Sequence, residues 1–153
     1  MVNQVVYEAF EVVASEVVFV THRLSVRTRS KVEFQNITRA VQEVVVSSRI
    51  ENGVCYVFVP HTTAAVTLNE QADPSVVEDI AEQLEAIVPQ HDNYHHSEGN
   101  SPAHIKASLF GSSAMVMVDD GRLVLGTWQG IFFCEFDGPR NRSMLVKILP
   151  DNR

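Results

Sequence analysis

Histidines are concentrated in the middle of this chain, and histidine is the side chain best suited to acid–base chemistry and metal binding near neutral pH. Five of the six histidines lie between residues 61 and 104. His61 directly follows an apolar run typical of a central strand, and strand ends hold side chains rigidly. His104 lies in the first turn of a short predicted helix, whose positive N-terminal end favours the neutral imidazole. A shared site with His96 is one interpretation, and a scatter of solvated histidines, above all His91 and His95, is the other.

Two acidic side chains follow His61 in the chain. Glu70 ends a short predicted strand and has the chemistry of a general base, a metal ligand or an exposed carboxylate. Asp73 precedes Pro74, and an Asp-Pro pair at the start of a helical pattern predicts an N-cap rather than a catalyst.

Cations and hydroxyl groups complete the candidate set. Lys106 and Arg140 could bind an anionic substrate, with Arg142 as the weaker candidate, although arginines in a turn are commonly surface charge. Thr62 and Thr63 offer hydroxyls that could bind phosphate or a metal-bound water. The β-propensity of a strand junction explains the same two threonines equally well.

Composition narrows the class of protein. The 153 residues fit one globular domain, with 45% hydrophobic and 20% charged residues. A net charge of −7 disfavours general nucleic-acid binding, and no apolar run reaches the roughly 20 residues that cross a bilayer. Cys55 and Cys134 both lie in apolar runs, which predicts buried thiols in a reducing cytoplasm rather than nucleophiles or a disulfide.

Periodicity predicts the elements that must position these residues. Leu24, Val26 and Thr28 alternate as one face of a half-buried strand. A helix is predicted after Asn36 as a candidate N-cap, and the run VCYVFVP is apolar on both faces, which predicts a central strand covered on both sides. AAVTLNE is a shorter strand, and a second helix begins at Asp73-Pro74.

The second half begins with a loop and ends in strands. The loop runs over residues 89–101, and a short helix follows it, with Ser101 as cap and Gly111 just past its end. Asp120-Gly121 predicts a hairpin turn, and GIFFCEF and SMLVKIL predict two more strands. This order of elements predicts an α+β fold with a mostly antiparallel sheet system covered by helices.

The strand GIFFCEF carries two unusual features. Cys134 shares a face with two phenylalanines, which predicts core, but Glu135 lies on the opposite, largely apolar face and suggests a partly buried site, a subunit interface or an edge strand. GTWQG precedes this strand and contains the single tryptophan, Trp128. Its glycines favour a bend or a close approach to a ligand, with Trp128 and Gln129 at a pocket or a subunit boundary. A core tryptophan in a bulge is the alternative.

Taken together, the segments PHTTAAVTLNEQADPSV, NYHH, SPAHIKASLFGSS and DDGRLVLGTWQGIFFCEFDGPR resemble the YjbQ-like family, whose members are associated with secondary thiamine-phosphate synthase activity. The resemblance covers roughly residues 23–149. It implies a β-sandwich or pseudo-barrel capped by about three helices, assembled as a homotrimer. The domain division that follows is an N-terminal extension over residues 1–22, packed on a single domain over residues 23–153.

The resemblance also implies a site and a reaction. A phosphorylated thiazole is joined to a pyrimidine pyrophosphate with release of pyrophosphate, and a divalent metal, zinc or magnesium, would suit that leaving group. The implied metal ligands are His61, His96 and His104, and the implied pocket and catalytic residues are His61, Glu70, His104, Lys106, Thr127, Trp128 and Gln129. Where the family tends to place two aspartates before the proline of the short helix, this chain has Gly99 and Asn100.

Two function hypotheses follow. The first is a metal-assisted transferase or hydrolase-like enzyme acting on a small phosphorylated molecule, with Lys106 and Arg140 holding phosphate. The second is a non-catalytic oligomer that binds a phosphorylated ligand or a metal through the same histidines.

Overall fold

Two antiparallel sheets and a set of helices form the part of the chain that the computed structural model describes, residues 7–10 and 20–151. Within these residues the elements are β1 (Tyr7–Phe10), β2 (Thr21–Arg27), β3 (Glu33–Asn36), α1 (Thr38–Ser48), β4 (Gly53–Phe58), β5 (Ala64–Glu70), α2 (Pro74–Ile87), α3 (Ser101–Phe110), β6 (Ser113–Asp119), β7 (Arg122–Leu123), β8 (Gln129–Glu135) and β9 (Asn141–Pro150). The predicted α+β class is therefore confirmed.

The larger sheet has six strands in the order β1-β2-β9-β4-β6-β7, and all its pairs are antiparallel. The alternation predicted around Leu24 is correct, since Leu24, Val26 and Thr28 are all buried. The smaller sheet has the order β3-β8-β5. Side chains from the inner faces of both sheets and from α1 form one hydrophobic cluster, which makes the two sheets the layers of a sandwich.

The smaller sheet is covered on both faces, which explains the apolar run in β8. Ile131 and Phe133 belong to the cluster between the sheets. Phe132 and Cys134 point the other way and pack with residues of α2 and α3, such as Leu84. The prediction that Cys134 is a core residue is confirmed.

The larger sheet differs from the prediction on its outer face. β4 is central, because it pairs with both β6 and β9. Its predicted cover on both sides is wrong, however: Tyr56 and Phe58 are exposed, beside Met115 and Met117 of β6. The helices of the described residues pack on the inside of the sandwich and on the smaller sheet, so nothing among them lies over this apolar face.

The helix boundaries follow local side-chain chemistry. Asp73 caps α2 as predicted, because its carboxylate accepts the backbone N–H of Ser75 at 2.9 Å. Asn36 accepts the N–H of Thr38 at 3.0 Å, so it closes the turn just before α1, although Ile37 is the N-cap residue. Ser101 is the first residue of α3 rather than its cap, a position that Asn100 occupies.

The predicted hairpin turn at Asp120-Gly121 connects β6 to β7, with both residues at positive φ. Of the N-terminal extension, the structure describes β1, which pairs with β2 at the edge of the larger sheet. Residues 1–6 and 11–19 lie outside the described residues, and the division into extension and domain stays a prediction. None of the helices in residues 20–151 is both long and apolar enough to cross a membrane.

Candidate functional site

An open groove of about 560 Å³ lies where the connection from β4 to β5 meets α3. His61 and Thr62 line it from the connection, and His104 and Ser108 line it from the helix. His104 and Ser108 are four residues apart and therefore share one helix face. The structure thus brings together three sequence-predicted residues, His61, Thr62 and His104.

A second groove, of about 320 Å³, shares His104 with the first. Tyr94, His96 and Ile105 are among its other lining residues. The rings of His96 and His104 lie edge to face with their centroids 5.3 Å apart. The histidines predicted to share a site therefore form a chain along the two grooves, with His104 in the middle.

His61 is fixed by the backbone of β9. The N–H of Ser143 donates to Nε2 of His61 at 3.0 Å. Burial lowers the pKa of His61, and the positive charge of Arg142 lowers this pKa further. The neutral imidazole is therefore favoured in this groove.

A buried ion pair lies behind His61, with Glu135 fully buried and the Arg142 side chain 8% exposed. Glu135 is 0% exposed and accepts two hydrogen bonds from Arg142, at 2.6 Å to Oε1 and 2.7 Å to Oε2. Arg142 also donates to the hydroxyl of Thr63 at 2.7 Å, and Thr28 donates to Glu135 at 3.0 Å. We call His61, Thr28, Thr63, Glu135 and Arg142 the ionic end of the smaller sheet.

The environment of Glu135 keeps it ionised. Burial alone would raise the pKa of this carboxyl, but the hydrogen bonds from Arg142 and from the N–H of Asp137, with the charge of Arg142, hold it below its usual value. Because the pKa of Glu135 is lower in the folded state, its ionised form stabilises the fold fully at pH values above the pKa of the unfolded chain. This stabilisation is lost as the pH falls through the pKa of the folded protein. The sequence offers Lys106, Arg140 and Arg142 as cations, with Arg142 as the weakest candidate. Of these three, Arg142 is the one whose charge lowers the pKa of His61.

Lys106 and Arg140 are engaged elsewhere. The side chain of Lys106 is only 2% exposed, and its Nζ donates to Glu85 of α2 at 2.7 Å. Arg140 pairs with Asp137 at 2.7 Å and also donates to the backbone carbonyl of Asp137. Their predicted roles in holding phosphate stay predictions: Lys106 is buried against Glu85, whereas the Arg140 side chain is half-exposed beside Asp137.

The remaining predicted residues lie at the opposite end of the smaller sheet. Glu70 is the last residue of β5 and is paired with Gln129, the first residue of β8. β5 is seven residues long, so Glu70 lies six positions from Ala64 at its beginning, a distance of about 20 Å. Within one chain, Glu70, Thr127, Trp128 and Gln129 are therefore not brought to the groove beside His61.

GTWQG forms a turn that closes on itself. The N–H of Gly126 donates to the side chain of Gln129 at 2.8 Å, and the N–H of Gln129 donates back to the carbonyl of Gly126 at 3.0 Å. Trp128 is 63% exposed, so it is not a core tryptophan.

Gly130 provides room for the side chain of Gln71. A Cβ atom at position 130 would lie 2.8 Å from Oε1 and 2.9 Å from Cβ of Gln71. The amide of Gln71 donates to the carbonyl of Gln129 and accepts from Asn36, both at 2.8 Å. We call Asn36, Gln71, Trp128, Gln129 and Gly130 the amide end of the smaller sheet.

The three histidines implied as metal ligands do not form a ready metal centre. Among residues 20–151, no group of three histidine, cysteine, aspartate or glutamate side chains is placed to hold one ion. His61 also uses Nε2 to accept the N–H of Ser143. The donor chemistry suits zinc, but the arrangement within one chain does not fit a three-histidine site.

The cysteines are unsuited to nucleophilic chemistry, as expected. Both are buried and unpaired. Burial raises the pKa of Cys55 to about 12 and raises that of Cys134 as well, so neither forms a thiolate near neutral pH.

The fold and the paired grooves define a class of α+β protein: a β-sandwich whose smaller sheet carries two helices and a histidine-lined site. A family model described as UPF0047 protein YjbQ-like matches residues 22–151. The chain belongs to this family.

Relatives and solved structures agree with this placement. A UPF0047 protein of Methanocaldococcus jannaschii is 46% identical over 129 residues, covering 84% of this chain and 94% of the relative. The UPF0047 protein YugU of Bacillus subtilis is 44% identical over 127 residues, covering 82% and 96%. The crystal structure of a family member from Clostridium acetobutylicum is 50% identical with a TM-score of 0.82, covering 83% of this chain and 98% of that one.

Sequence reasoning missed how the ionic end is assembled. The sequence marks Glu135 as a carboxylate on an apolar face, but it offers Arg142 only as a candidate substrate cation. Gln71 was not considered at all. A buried charge at the end of an apolar strand requires an opposite charge, and this rule predicts a cation beside Glu135 without saying which one.

Proposed function

We propose that this protein is a small-molecule transferase resembling secondary thiamine-phosphate synthase, with its substrate groove between His61 and His104. The observation that carries the proposal is this groove, where two histidines face hydroxyls of Thr62, Ser108 and Ser112. Hydroxyls and neutral imidazoles are suitable partners for phosphate oxygens. A net charge of −7 argues against nucleic acid as the partner.

The reaction would join a thiazole phosphate to a pyrimidine pyrophosphate. The bond to pyrophosphate breaks and the leaving group takes its electron pair, while the thiazole forms the new bond to the pyrimidine. His104, which borders both grooves, is the residue we assign to meeting charge on the leaving group. The buried pair of Glu135 and Arg142 would hold the opposite wall, because it anchors Thr63 beside Thr62.

A divalent metal, zinc or magnesium, is a separate part of this proposal. It would neutralise charge on the pyrophosphate. His96 and His104 are the two histidines whose rings lie closest, so they would be its first protein ligands. No step above depends on the metal.

Turnover of the two thiamine precursors tests the reaction. We expect purified protein to release pyrophosphate, and the His104→Ala variant to lose most of this activity. His91→Ala is the matched control, because His91 is an exposed loop histidine that lines neither groove. Equal activity in all three proteins would remove His104 from the mechanism. The same assay after chelation, with zinc or magnesium added back, tests the metal.

The alternative is an oligomer that binds a phosphorylated ligand or a metal without turning it over. Ligand-induced stabilisation separates the two functions. A rise in melting temperature with pyrophosphate, together with no turnover of either precursor, would favour the binding protein. Turnover above that of the His104→Ala variant would favour the enzyme.

We further propose a homotrimer in which copies of this chain cover the outer face of the larger sheet. Tyr56, Phe58, Met115 and Met117 form a continuous exposed patch on this face, since Tyr56 is paired with Met115 in the sheet register. Sedimentation equilibrium is expected to give three times the chain mass. The Met115→Glu variant should dissociate, whereas Ile87→Glu, at an equally exposed site on α2, should not.

A trimer would also bring together the residues that one chain separates. The amide end of one copy would complete the groove beside His61 of its neighbour. Mixed refolding tests this: His104→Ala and Trp128→Ala variants, each impaired, should together regain about a quarter of the unaltered activity if each site uses two chains. No recovery would mean that each site lies within one chain.

We place the protein in the cytoplasm, where a reducing environment suits its two buried thiols.

A further inference from the structure

The hydrogen bond between Ser143 and His61 determines where the imidazole carries its proton. The N–H of Ser143 points at Nε2 of His61 with a distance of 3.0 Å. A backbone N–H is only a donor, so Nε2 must be the acceptor and cannot carry a proton. In a neutral histidine the proton is then on Nδ1.

Two adjacent residues of β9 hold the His61 connection from both sides. Ser143 binds the ring of His61, and Arg142 binds the hydroxyl of Thr63 at 2.7 Å. The carbonyl of Thr63 also accepts the N–H of Phe136 at 3.1 Å. The connection is therefore pinned on both sides of Thr62, which leaves the ring of His61 little freedom to turn over.

Glu135 fixes Arg142 in turn. Both oxygens of the Glu135 carboxylate accept from the guanidinium, and this planar geometry leaves one orientation for the arginine. Lysine cannot reproduce it, because an ammonium group has no fork of donors. The orientation of His61 consequently depends on residues that do not touch the groove.

We propose that His61 is held as its neutral tautomer with the proton on Nδ1, and that it donates this proton in a hydrogen bond to an anionic oxygen of a ligand in the groove. Arg142 and Glu135 are the positioning residues. While Ser143 occupies the lone pair of Nε2, that atom is not free to ligate a metal. The tautomer follows from the hydrogen bond alone, whereas the donor role toward a phosphorylated ligand rests on the proposed function.

Nitrogen NMR of the free protein tests the tautomer without any substrate. Long-range proton–nitrogen spectra of the labelled protein are expected to show Nε2 of His61 unprotonated and Nδ1 protonated. The signals are assigned by their loss in the His61→Asn variant. A proton on Nε2, or zinc that coordinates Nε2 when added to the labelled protein, would overturn the proposal.

The positioning role has its own test. Arg142→Lys keeps the positive charge and loses the fork, so we expect His61 to show a mixture of tautomers. Thr63→Val is the second variant, because it leaves the pair of Glu135 and Arg142 intact and removes the hydroxyl that Arg142 binds. An unchanged single tautomer in the variants that fold would overturn the positioning role.

Amide substitutions test the donor, with inorganic pyrophosphate as the probe. Asparagine places its amide near the position of Nδ1, and glutamine places it near that of Nε2. We expect His61→Asn to bind pyrophosphate within about threefold of the unaltered protein, and His61→Gln to bind about tenfold more weakly, the cost of one lost hydrogen bond. The reverse order would overturn the donor role. If the unaltered protein does not bind pyrophosphate, the donor role fails with the proposed function, and the spectra still decide the tautomer.

Discussion

The two ends of the smaller sheet are built from different chemistry. At the ionic end, a carboxylate and a guanidinium are buried together, Thr28 donates to the carboxylate, and Thr63 accepts from the guanidinium. At the amide end, the polar groups are neutral and largely exposed, and Gln71 links Asn36 to the carbonyl of Gln129. The same strand, β8, contributes to both.

This difference separates rigidity from accessibility. A buried ion pair held by two hydrogen bonds allows one geometry, because any other would leave a charge unpaired in the interior. Exposed amides can exchange protein partners for water at little cost. The ionic end is therefore suited to holding His61 and Thr63 in place, and the amide end is suited to presenting Trp128 to a ligand or a neighbouring copy.

The largest expected effect is at the ionic end. Arg142→Met leaves the Glu135 carboxylate buried without its partner, and we expect the free energy of unfolding to fall by about 3–5 kcal/mol. Urea denaturation followed by circular dichroism measures this loss. The double variant Glu135→Leu with Arg142→Met should recover part of it, because no unpaired charge is left, although the N–H of Asp137 loses its acceptor.

Arg39→Met is the matched control for this experiment. Arg39 also pairs with a glutamate, Glu43, but its side chain is 92% exposed. We expect its loss to cost about 0.5 kcal/mol or less. If Arg142→Met and Arg39→Met were equally stable, the contrast between the buried ion pair of the ionic end and an exposed ion pair would be wrong.

A moderate effect is expected at the amide end. Gly130→Ala pushes a methyl group into the side chain of Gln71, so the amide must move away from Asn36 and Gln129. We expect a loss of about 1–3 kcal/mol in the free energy of unfolding. Gly126→Ala is the control, since its Cβ would meet only the end of the Gln129 side chain, at 3.2 Å, and should change stability by less than about 1 kcal/mol. Equal losses would show that Gln71 adapts freely.

The turn of the amide end could be predicted from the sequence, whereas neither the place of Gln71 nor the assembly of the ionic end could be. The local composition of GTWQG predicts a bend with Trp128 at a pocket or a subunit boundary, and the observed turn is closed by two hydrogen bonds between Gly126 and Gln129. The ionic end joins Thr28, Glu135 and Arg142, and Thr28 is 107 positions from Glu135. Such contacts depend on which strands are neighbours, and one sequence does not contain that order.

The same reasoning explains the successes and failures in the fold. The cap at Asp73 and the hairpin at Asp120-Gly121 are local, and both are correct. The prediction that both faces of β4 are covered is wrong for a single chain. Apolar side chains on both faces of a strand indicate burial, but they do not indicate which part of the protein, or which copy of it, buries them. The role of Lys106 stays a prediction, and its partner in this structure, Glu85, belongs to another helix and could not be read from local sequence.

The smallest effect on stability is expected for Trp128→Ala, and this variant tests what the amide end is for. Trp128 is 63% exposed, and its contribution to the sheet is its backbone carbonyl, which accepts the N–H of Gln71 in any variant. At a concentration where the protein is monomeric, the free energy of unfolding should change by about 0.5 kcal/mol or less. Ile87→Ala is the matched control, because Ile87 is also 63% exposed but lies on α2. Both variants should therefore fold normally, and turnover of the thiamine precursors should fall only in Trp128→Ala. A stability loss above about 2 kcal/mol would instead mean that the indole holds the end of the sheet together, and the contrast between a rigid ionic end and an accessible amide end would then fail.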